Sequence, residues 1–309
     1  MLDLSIIIVN WNTRSILCDC LRSIYDQGGE RDIEVIVIDN ASTDGSVEMV
    51  KKDFPQVTLI KNSQNLGFAR ANNIGIHQSS GRYICLVNSD VIVLNGCIEN
   101  LISFMDNYPT AGMVGPRILN QDRTLQPSCR HFPTIWNNLC QALGLNKLFP
   151  KSRFFSETFM NYWAHDIVQK VDVLSGCFWM IRREALNKVG LLDEDFFIYG
   201  EDLDWCRRFH HAGWDIIFYP NAETIHTGAA SSNNDPIRFY IEMQKADLHY
   251  WQKHHGSIGR TVYAAIIFLR HLLRLVPIGL LYVFRPSHRE TISFKWKRSL
   301  ACIRFILAP

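Results

Sequence analysis

Residues 199–207 read YGEDLDWCR, so that Glu201, Asp202 and Asp204 fall within four positions, flanked by aromatic side chains. Side chains one or two apart on a helix diverge, and the three acids therefore do not share a face. At a helix start all three would complement the macrodipole, which requires no function of them. The chemical alternative makes one carboxylate a general base toward a bound hydroxyl, with the others holding the loop or the substrate. Phe196, Phe197, Tyr199 and Trp205 would then limit water and offer a stacking face for a sugar. Asp90, in VNSD, could bind Mg2+ or Mn2+ shared with substrate phosphates, or simply form a turn. His226, in ETIHTGAAS, could complete such a site, since imidazole suits Mn2+-like ions, or be structural. Asp39 could accept hydrogen bonds from a base or ribose, or cap a helix.

The elements that must position these residues are legible in the apolar pattern. LSIIIVN (4–10), IEVIVID (33–39), VTLI (57–60) and RYICLVN (82–88) are β-branched and nearly unbroken, as strands buried on both faces are. The stretches 14–27, 43–53, 67–79 and 95–107 fit helices, and DNASTDGS supplies oxygens for capping one of them. This alternation predicts a mostly parallel sheet with helices on both faces, with ligands bound beyond the carboxyl ends of the strands. Asn10-Trp11-Asn12, Asp39-Asn40 and Asn88-Ser89-Asp90 all fall at those ends. The first turn, NWNTRS, has no glycine, and the missing Gly-x-Gly-x-x-Gly argues against a nicotinamide dehydrogenase. From 121 to 170 the regularity fades into an aromatic, proline-punctuated stretch, a kind of insert more often functional than idle. VDVLSGCFWMIRR (171–183) and WDIIFYP (214–220) then restore strand character.

Composition sets the frame. The chain has 309 residues, 47% hydrophobic and 20% charged, which is ordinary for a globular protein and excludes wholesale disorder. Nine scattered cysteines suit reduced, buried thiols rather than a secreted disulfide framework. MLDLSIIIVNW carries an acid at Asp3 and no basic segment, so it does not read as a signal peptide, and a cytoplasmic protein is expected. From Trp251 onward ten Lys and Arg meet one acid, a net +9; with the whole chain at +2, the first 250 residues carry −7. Such a split suggests a tail that meets an anionic surface. No nucleic-acid partner is expected.

Seven segments in order, SIIIVNWN, VIVIDNASTDGS, NLGFARANNIGI, LVNSD, SGCFWMIRR, GEDLDWCRR and IHTGAAS, resemble an inverting glycosyltransferase of family 2, in its bacterial rhamnosyltransferase-like branch. The resemblance runs from Ser5 to Ser231 and implies a Rossmann-like GT-A fold. It implies that Val9, Trp11 and Asp39 line the nucleobase and ribose pocket, and that Gly67 and Arg70 lie near the donor. Asn88-Ser89-Asp90 stands where the family has Asp-x-Asp. Asp90 would be the metal ligand for Mg2+ or Mn2+, and Asn88 replaces the first Asp. Asp202 matches the catalytic base and His226 a further metal ligand. Glu201, Asp204, Trp205, Arg130 and His131 are the expected acceptor or sugar-side walls. The implied reaction is direct displacement at the anomeric carbon of a nucleotide-sugar by a hydroxyl of a lipid-linked glycan or polysaccharide. The expected donor is dTDP-rhamnose. The alternatives are a UDP-sugar transferase for GlcNAc, Gal or Glc, or a non-catalytic sugar-nucleotide or lipid-binding module.

The expected organisation is a catalytic domain over 1–233, with a nucleotide half (1–120) and an acceptor half (121–233), followed by a basic helical extension over 234–309. A helix is expected at 235–255. Beyond it, the runs without a charged residue or histidine, 261–269 and 275–284, are each shorter than the roughly 20 residues of a spanning helix. Arg270 and Arg274, four apart, share a helix face, which suits a helix lying in the interface of an anionic membrane. A packed core helix and a tilted span are the other readings. Peripheral attachment to the inner face of the plasma membrane is the expectation.

Overall fold

A computed structural model describes residues 2–27, 31–160, 162–228, 236–284 and 286–307. Ala229–Ser231, the end of the family-like stretch, and the expected boundary at 233/234 lie outside the described residues.

The chain clusters into two compact units, Met1–His131 with Ala164–Asn233, and Phe132–Trp163 with Asn234–Pro309. The larger unit begins with β1 (Leu4–Asn10), α1 (Arg14–Tyr25), β2 (Ile33–Asp39), α2 (Ser46–Asp53), β3 (Thr58–Lys61), α3 (Phe68–Gln78) and β4 (Tyr83–Asn88). It continues with β5 (Val91–Val93), α4 (Cys97–Asn107), β6 (Ala111–Leu119) and β7 (Cys129–Arg130). The boundaries of β1–β4 and α1–α4 follow the sequence-based ones to within a few residues, because the signals were strong and local, whereas β5, β6 and β7 had no sequence-based counterpart. In α1 the buried residues are Leu17, Cys20, Leu21 and Ile24, and in α4 they include Ile98, Leu101, Ile102 and Met105. Both sets follow the i, i+3, i+4, i+7 stripe of a helix with one face in a core.

The smaller unit's first part holds α5 (Ile135–Leu143), α6 (Leu145–Leu148) and α7 (Arg153–Ser156), so the stretch that looked irregular contains short helices. The larger unit resumes with β8 (Gln169–Lys170), β9 (Val173–Leu174), β10 (Phe178–Arg182), α8 (Arg183–Val189), α9 (Glu201–His211) and β11 (Asp215–His226).

Its central sheet has the order β3-β2-β1-β4-β10-β6-β11-β5, with β8 also on β11, while β7 and β9 pair separately. The ladders β3-β2, β2-β1, β1-β4 and β6-β11 are parallel and carry most of the pairing, whereas β10, β5 and β8 run antiparallel to their neighbours. This is the mixed, mostly parallel, helix-flanked sheet that the pattern predicted. Register places the site. Asn10 lies opposite Asp39 and Val9 opposite Asn88, so three polar strand ends fall side by side.

In the smaller unit α10 (Pro236–Phe284) and α11 (Arg289–Leu307) pack against each other. α10 breaks at Gly256 (φ 67°, ψ −172°), where the sequence-expected helix over 235–255 ends. Beyond the break it continues as helix, and by length and composition it is long and apolar enough to cross a membrane. Charge-free runs understate this, because Arg270 and Arg274 interrupt an otherwise apolar segment.

Candidate active site

The polar strand ends form one hydrogen-bonded floor. Asn10, wholly buried, donates from Nδ2 to Asp39 Oδ1 (3.0 Å) and Ser42 Oγ (3.1 Å), and accepts from the Thr13 hydroxyl (2.7 Å). Asp39 Oδ2 accepts from the Ser42 backbone N–H (2.9 Å). Asp39 therefore orders the turn after β2 and does not cap α2; Asp44 accepts from the Ser46 N–H at that helix start. Thr13 Oγ1 also lies 3.1 Å from Ser89 Oγ, joining the first turn to the Asn88-Ser89-Asp90 segment. Val9 and Trp11 are partly exposed beside this floor. Asn12 (φ 53°) and Ala41 (φ 61°) hold left-handed backbone in the same turns. For a residue such as alanine that conformation costs of order 1–3 kcal/mol, a kind of strain that concentrates at binding sites.

Gly67 (φ 82°) and the Phe68 N–H, which donates to the Phe197 carbonyl (2.8 Å), tie the α3 start to the loop before α9. A Cβ at Gly67 would run into that carbonyl oxygen and come within 2.7 Å of the Phe197 ring, so the close approach demands glycine. Arg70 points to Glu194 (3.6 Å), with both side chains about half exposed.

Register also brings Asp90 and His226 together. His226 lies opposite Val91 in the β11-β5 ladder, and the Thr227 N–H donates to the Asp90 carbonyl (3.1 Å). His226 Nε2 is 3.3 Å from Asp90 Oδ1, both side chains being largely buried. The tautomer follows from Gln126. The amide nitrogen of Gln126 donates to the His226 carbonyl (3.2 Å) and to Asn120 Oδ1 (2.9 Å), which leaves its oxygen to accept from His226 Nδ1 (2.7 Å). With the proton on Nδ1, a neutral imidazole presents a bare Nε2 to a carboxylate oxygen. Two acceptors facing each other call for a cation between them, a proton or a metal ion. A carboxylate and an imidazole fixed by an outer hydrogen bond fit Mg2+ or Mn2+. Sequence reasoning missed Gln126, an uncharged amide in an irregular stretch with no signal to mark it.

The acidic cluster opens α9 behind two consecutive left-handed residues, Tyr199 (φ 67°) and Gly200 (φ 80°). The structure separates its members. Asp204, wholly buried, pairs with Arg208 (2.8 Å), which also donates to the carbonyls of Val189 and Leu191. Trp205 is equally buried, donates to the Gly190 carbonyl (2.9 Å), and packs edge-on against Trp179 and Phe209. Phe196 is also core, while Phe197 is exposed. Asp202 instead pairs through Oδ2 with Arg130 of β7, and its Oδ1 accepts from the Leu203 N–H (2.8 Å). His131, next along, contacts Asp172 (3.1 Å). Glu201 is buried, and its Oε2 has no hydrogen-bond partner among the described residues. Burial first, then the neighbouring Asp202 charge, pushes the Glu201 carboxyl up to about 8.

Ser175–Cys177 join the two sides. The Asn88 N–H donates to the Cys177 carbonyl (3.0 Å), and a Cβ built on Gly176 would lie 3.9 Å from the Asp202 Cβ. The Asp90–His226 pair and Asp202 thus flank one short loop.

Residues 5–190 match the family model for glycosyl transferase family 2. The chain is 29% identical over 243 residues to an N-acetylglucosaminyl-diphospho-decaprenol L-rhamnosyltransferase of Mycobacterium tuberculosis, covering 75% of this chain and 78% of that one. It is 24% identical over 268 residues to the dTDP-rhamnosyl transferase RfbF of Shigella flexneri, covering 83% of each. Among solved structures, a mannosyltransferase of Pyrobaculum calidifontis in complex with GDP-Man and Mn2+ aligns with a TM-score of 0.56 at 16% identity, over 99% of this chain and 89% of that one. At that identity the likeness shows the fold alone, the GT-A architecture expected from the sequence.

Proposed function

Since this chain belongs to glycosyl transferase family 2, we propose that it moves rhamnose from dTDP-rhamnose to a hydroxyl of a lipid-linked or growing polysaccharide acceptor, with inversion. The observation that carries the chemistry is the convergence of Asp202 and the Asp90–His226 pair on the two sides of Ser175–Cys177. The names of two relatives support the sugar.

In this reading Val9, Trp11 and the Asn10–Asp39–Ser42 floor receive the nucleoside, with Gly67 and Arg70 at its edge and Asn88 and Ser89 beneath the phosphates. Asp90 and His226 would hold a Mg2+ or Mn2+ ion, which when bound supplies positive charge for the departing diphosphate. Asp202 removes the proton from the acceptor oxygen as that oxygen attacks the anomeric carbon, and the carbon–phosphate oxygen bond breaks on the opposite side. Arg130 and the Leu203 N–H each hold one oxygen of that carboxylate, so the base is aimed before the acceptor arrives. Glu201 in its neutral form donates a hydrogen bond to the acceptor, and His131 borders the same side.

The smaller unit attaches the enzyme to the inner face of the plasma membrane. Leu272, Leu273, Val276, Leu280, Leu281 and Phe284 of α10 are exposed, in a segment with ten basic residues and one acid from Trp251 onward. Apolar burial and anionic lipid would both favour that contact.

A panel of nucleotide-sugars, assayed for donor hydrolysis and for transfer with Mg2+ or Mn2+, tests the reading. dTDP-rhamnose should turn over fastest. Faster turnover of a UDP-sugar would reassign the donor, and binding of every donor with no turnover would make the protein a binding module.

A further inference from the structure

The segment 135–156, which the catalytic reading leaves unused, has the surface of a second docking element. Trp136, Leu143, Leu148, Phe149 and Phe154 are exposed, from 41% at Trp136 to 70% at Leu148. Five large apolar side chains outside the core within one short helical segment exceed what scattered surface hydrophobics explain. They are also held in place. The Trp136 indole N–H donates to the Phe154 carbonyl (2.9 Å), and its ring lies 5.0 Å from that of Phe154. Phe155 packs edge-on against Phe154 at 5.0 Å and lies 5.1 Å from Phe149. A preformed aromatic cluster loses little side-chain freedom when a partner covers it.

The charges identify the partner. Lys147, Lys151 and Arg153 are exposed among these apolar residues, with Arg153 over the Tyr162 ring at 4.7 Å, and no acid occurs between 135 and 156. Aromatic rings beside basic side chains with long apolar stems match the boundary between acyl chains and anionic headgroups. A second copy facing this patch across a two-fold axis would set like charges against one another. The same unit contains α10, against which α5 packs, so the segment and the exposed apolar residues of α10 belong to one body.

We propose that residues 135–156 form a second membrane-contact site, inserting Trp136, Leu148, Phe149 and Phe154 into an anionic bilayer surface. The proposal rests on the membrane reading of the smaller unit and adds a discrete element to it.

The test is binding of full-length protein to phosphatidylcholine vesicles with and without 30% phosphatidylglycerol, followed by flotation. The double variant Leu148→Asp/Phe154→Asp should bind the anionic vesicles at least tenfold more weakly while hydrolysing donor as the wild type does, which reports an intact catalytic unit. Lys147→Gln/Lys151→Gln should lose about fivefold per residue removed, and only on anionic vesicles at low salt. Leu273→Asp/Val276→Asp on α10 is the reference arm. If that variant is released while Leu148→Asp/Phe154→Asp binds like wild type, the second site is refuted and the membrane reading stands. If wild-type protein binds neither vesicle, the membrane reading fails and this proposal falls with it. If Leu148→Asp/Phe154→Asp turns a dimer into a monomer without vesicles, the patch is a self-interface and the proposal is overturned.

Discussion

The two units treat apolar surface in opposite ways. Among the described residues, four of the 22 exposed large hydrophobic side chains lie in the larger unit, and eighteen in the smaller one. The larger unit closes its core around β1, β4 and β10 and collects polar side chains at one end of the sheet. At that end the Asn10, Asp39, Ser42 and Thr13 side chains satisfy one another, whereas Glu201 Oε2 is left without a partner among the described residues. The smaller unit leaves a comparable investment in Leu, Val, Phe and Trp uncovered. The larger unit thus gathers its polar side chains at one rim of a closed core, whereas the helices of the smaller unit keep large apolar side chains on the outside, the surface on which the proposed membrane contact rests.

The largest predicted effect lies in the first unit. Asp202→Asn preserves shape and removes the proton acceptor, so transfer should fall by about 10²–10⁴-fold while donor affinity is retained. Near-normal transfer in a folded variant would move the base to Glu201, since Asp204 is committed to Arg208. In the second unit no single substitution should approach that loss of turnover.

A smaller effect is expected where the first unit fixes His226. Gln126→Ala removes the acceptor of the Nδ1 proton, and loss of such an outer partner typically weakens metal affinity by about 10–100-fold. His226→Ala should weaken it further, with Mn2+ titration of donor hydrolysis as the readout. Full activity after exhaustive chelation would remove the metal from the mechanism and leave basic side chains to offset the diphosphate charge.

The smallest effect is a pH dependence of stability. Glu201 holds its proton up to about 8 when folded, against an ordinary value of 4.5. Below 4.5 both states are protonated. Between 4.5 and 8 only the unfolded chain ionises, so folded stability declines with rising pH and then levels off. Glu201→Gln keeps the neutral shape and removes the decline. It should match wild type at pH 4 and exceed it by about 2–4 °C or more in Tm at pH 8. Parallel curves across that range would mean that Glu201 is solvated when folded.

Much of the fold was legible in the sequence, because unbroken β-branched runs and i, i+3, i+4 stripes are local signals. β1, β2, β4, α1 and α4 were placed within a few residues for that reason, and the end of the helix near 255 became a backbone break at Gly256. Asp39, Asp90, His226 and the acidic cluster at 201–204 stood out by residue type and position, and only the family resemblance picked Asp202 from that cluster. The sequence also carried the charge asymmetry, which depends on composition alone.

What only the tertiary structure decided are the partnerships. Asp90 meets His226 because β11 aligns His226 with Val91, a pairing across more than 130 positions that no local pattern encodes. Arg130 meets Asp202, and Asp204 turns to Arg208, because α9 presents adjacent acids on different faces. The short helices of 135–156 and their exposed aromatics were hidden by prolines and missing periodicity, and their place beside α10 comes from long-range packing. Chain order records which residues are present and how each prefers to fold locally. Which of them touch is settled when distant segments exclude water together, and that free energy belongs to the assembled core rather than to any one stretch.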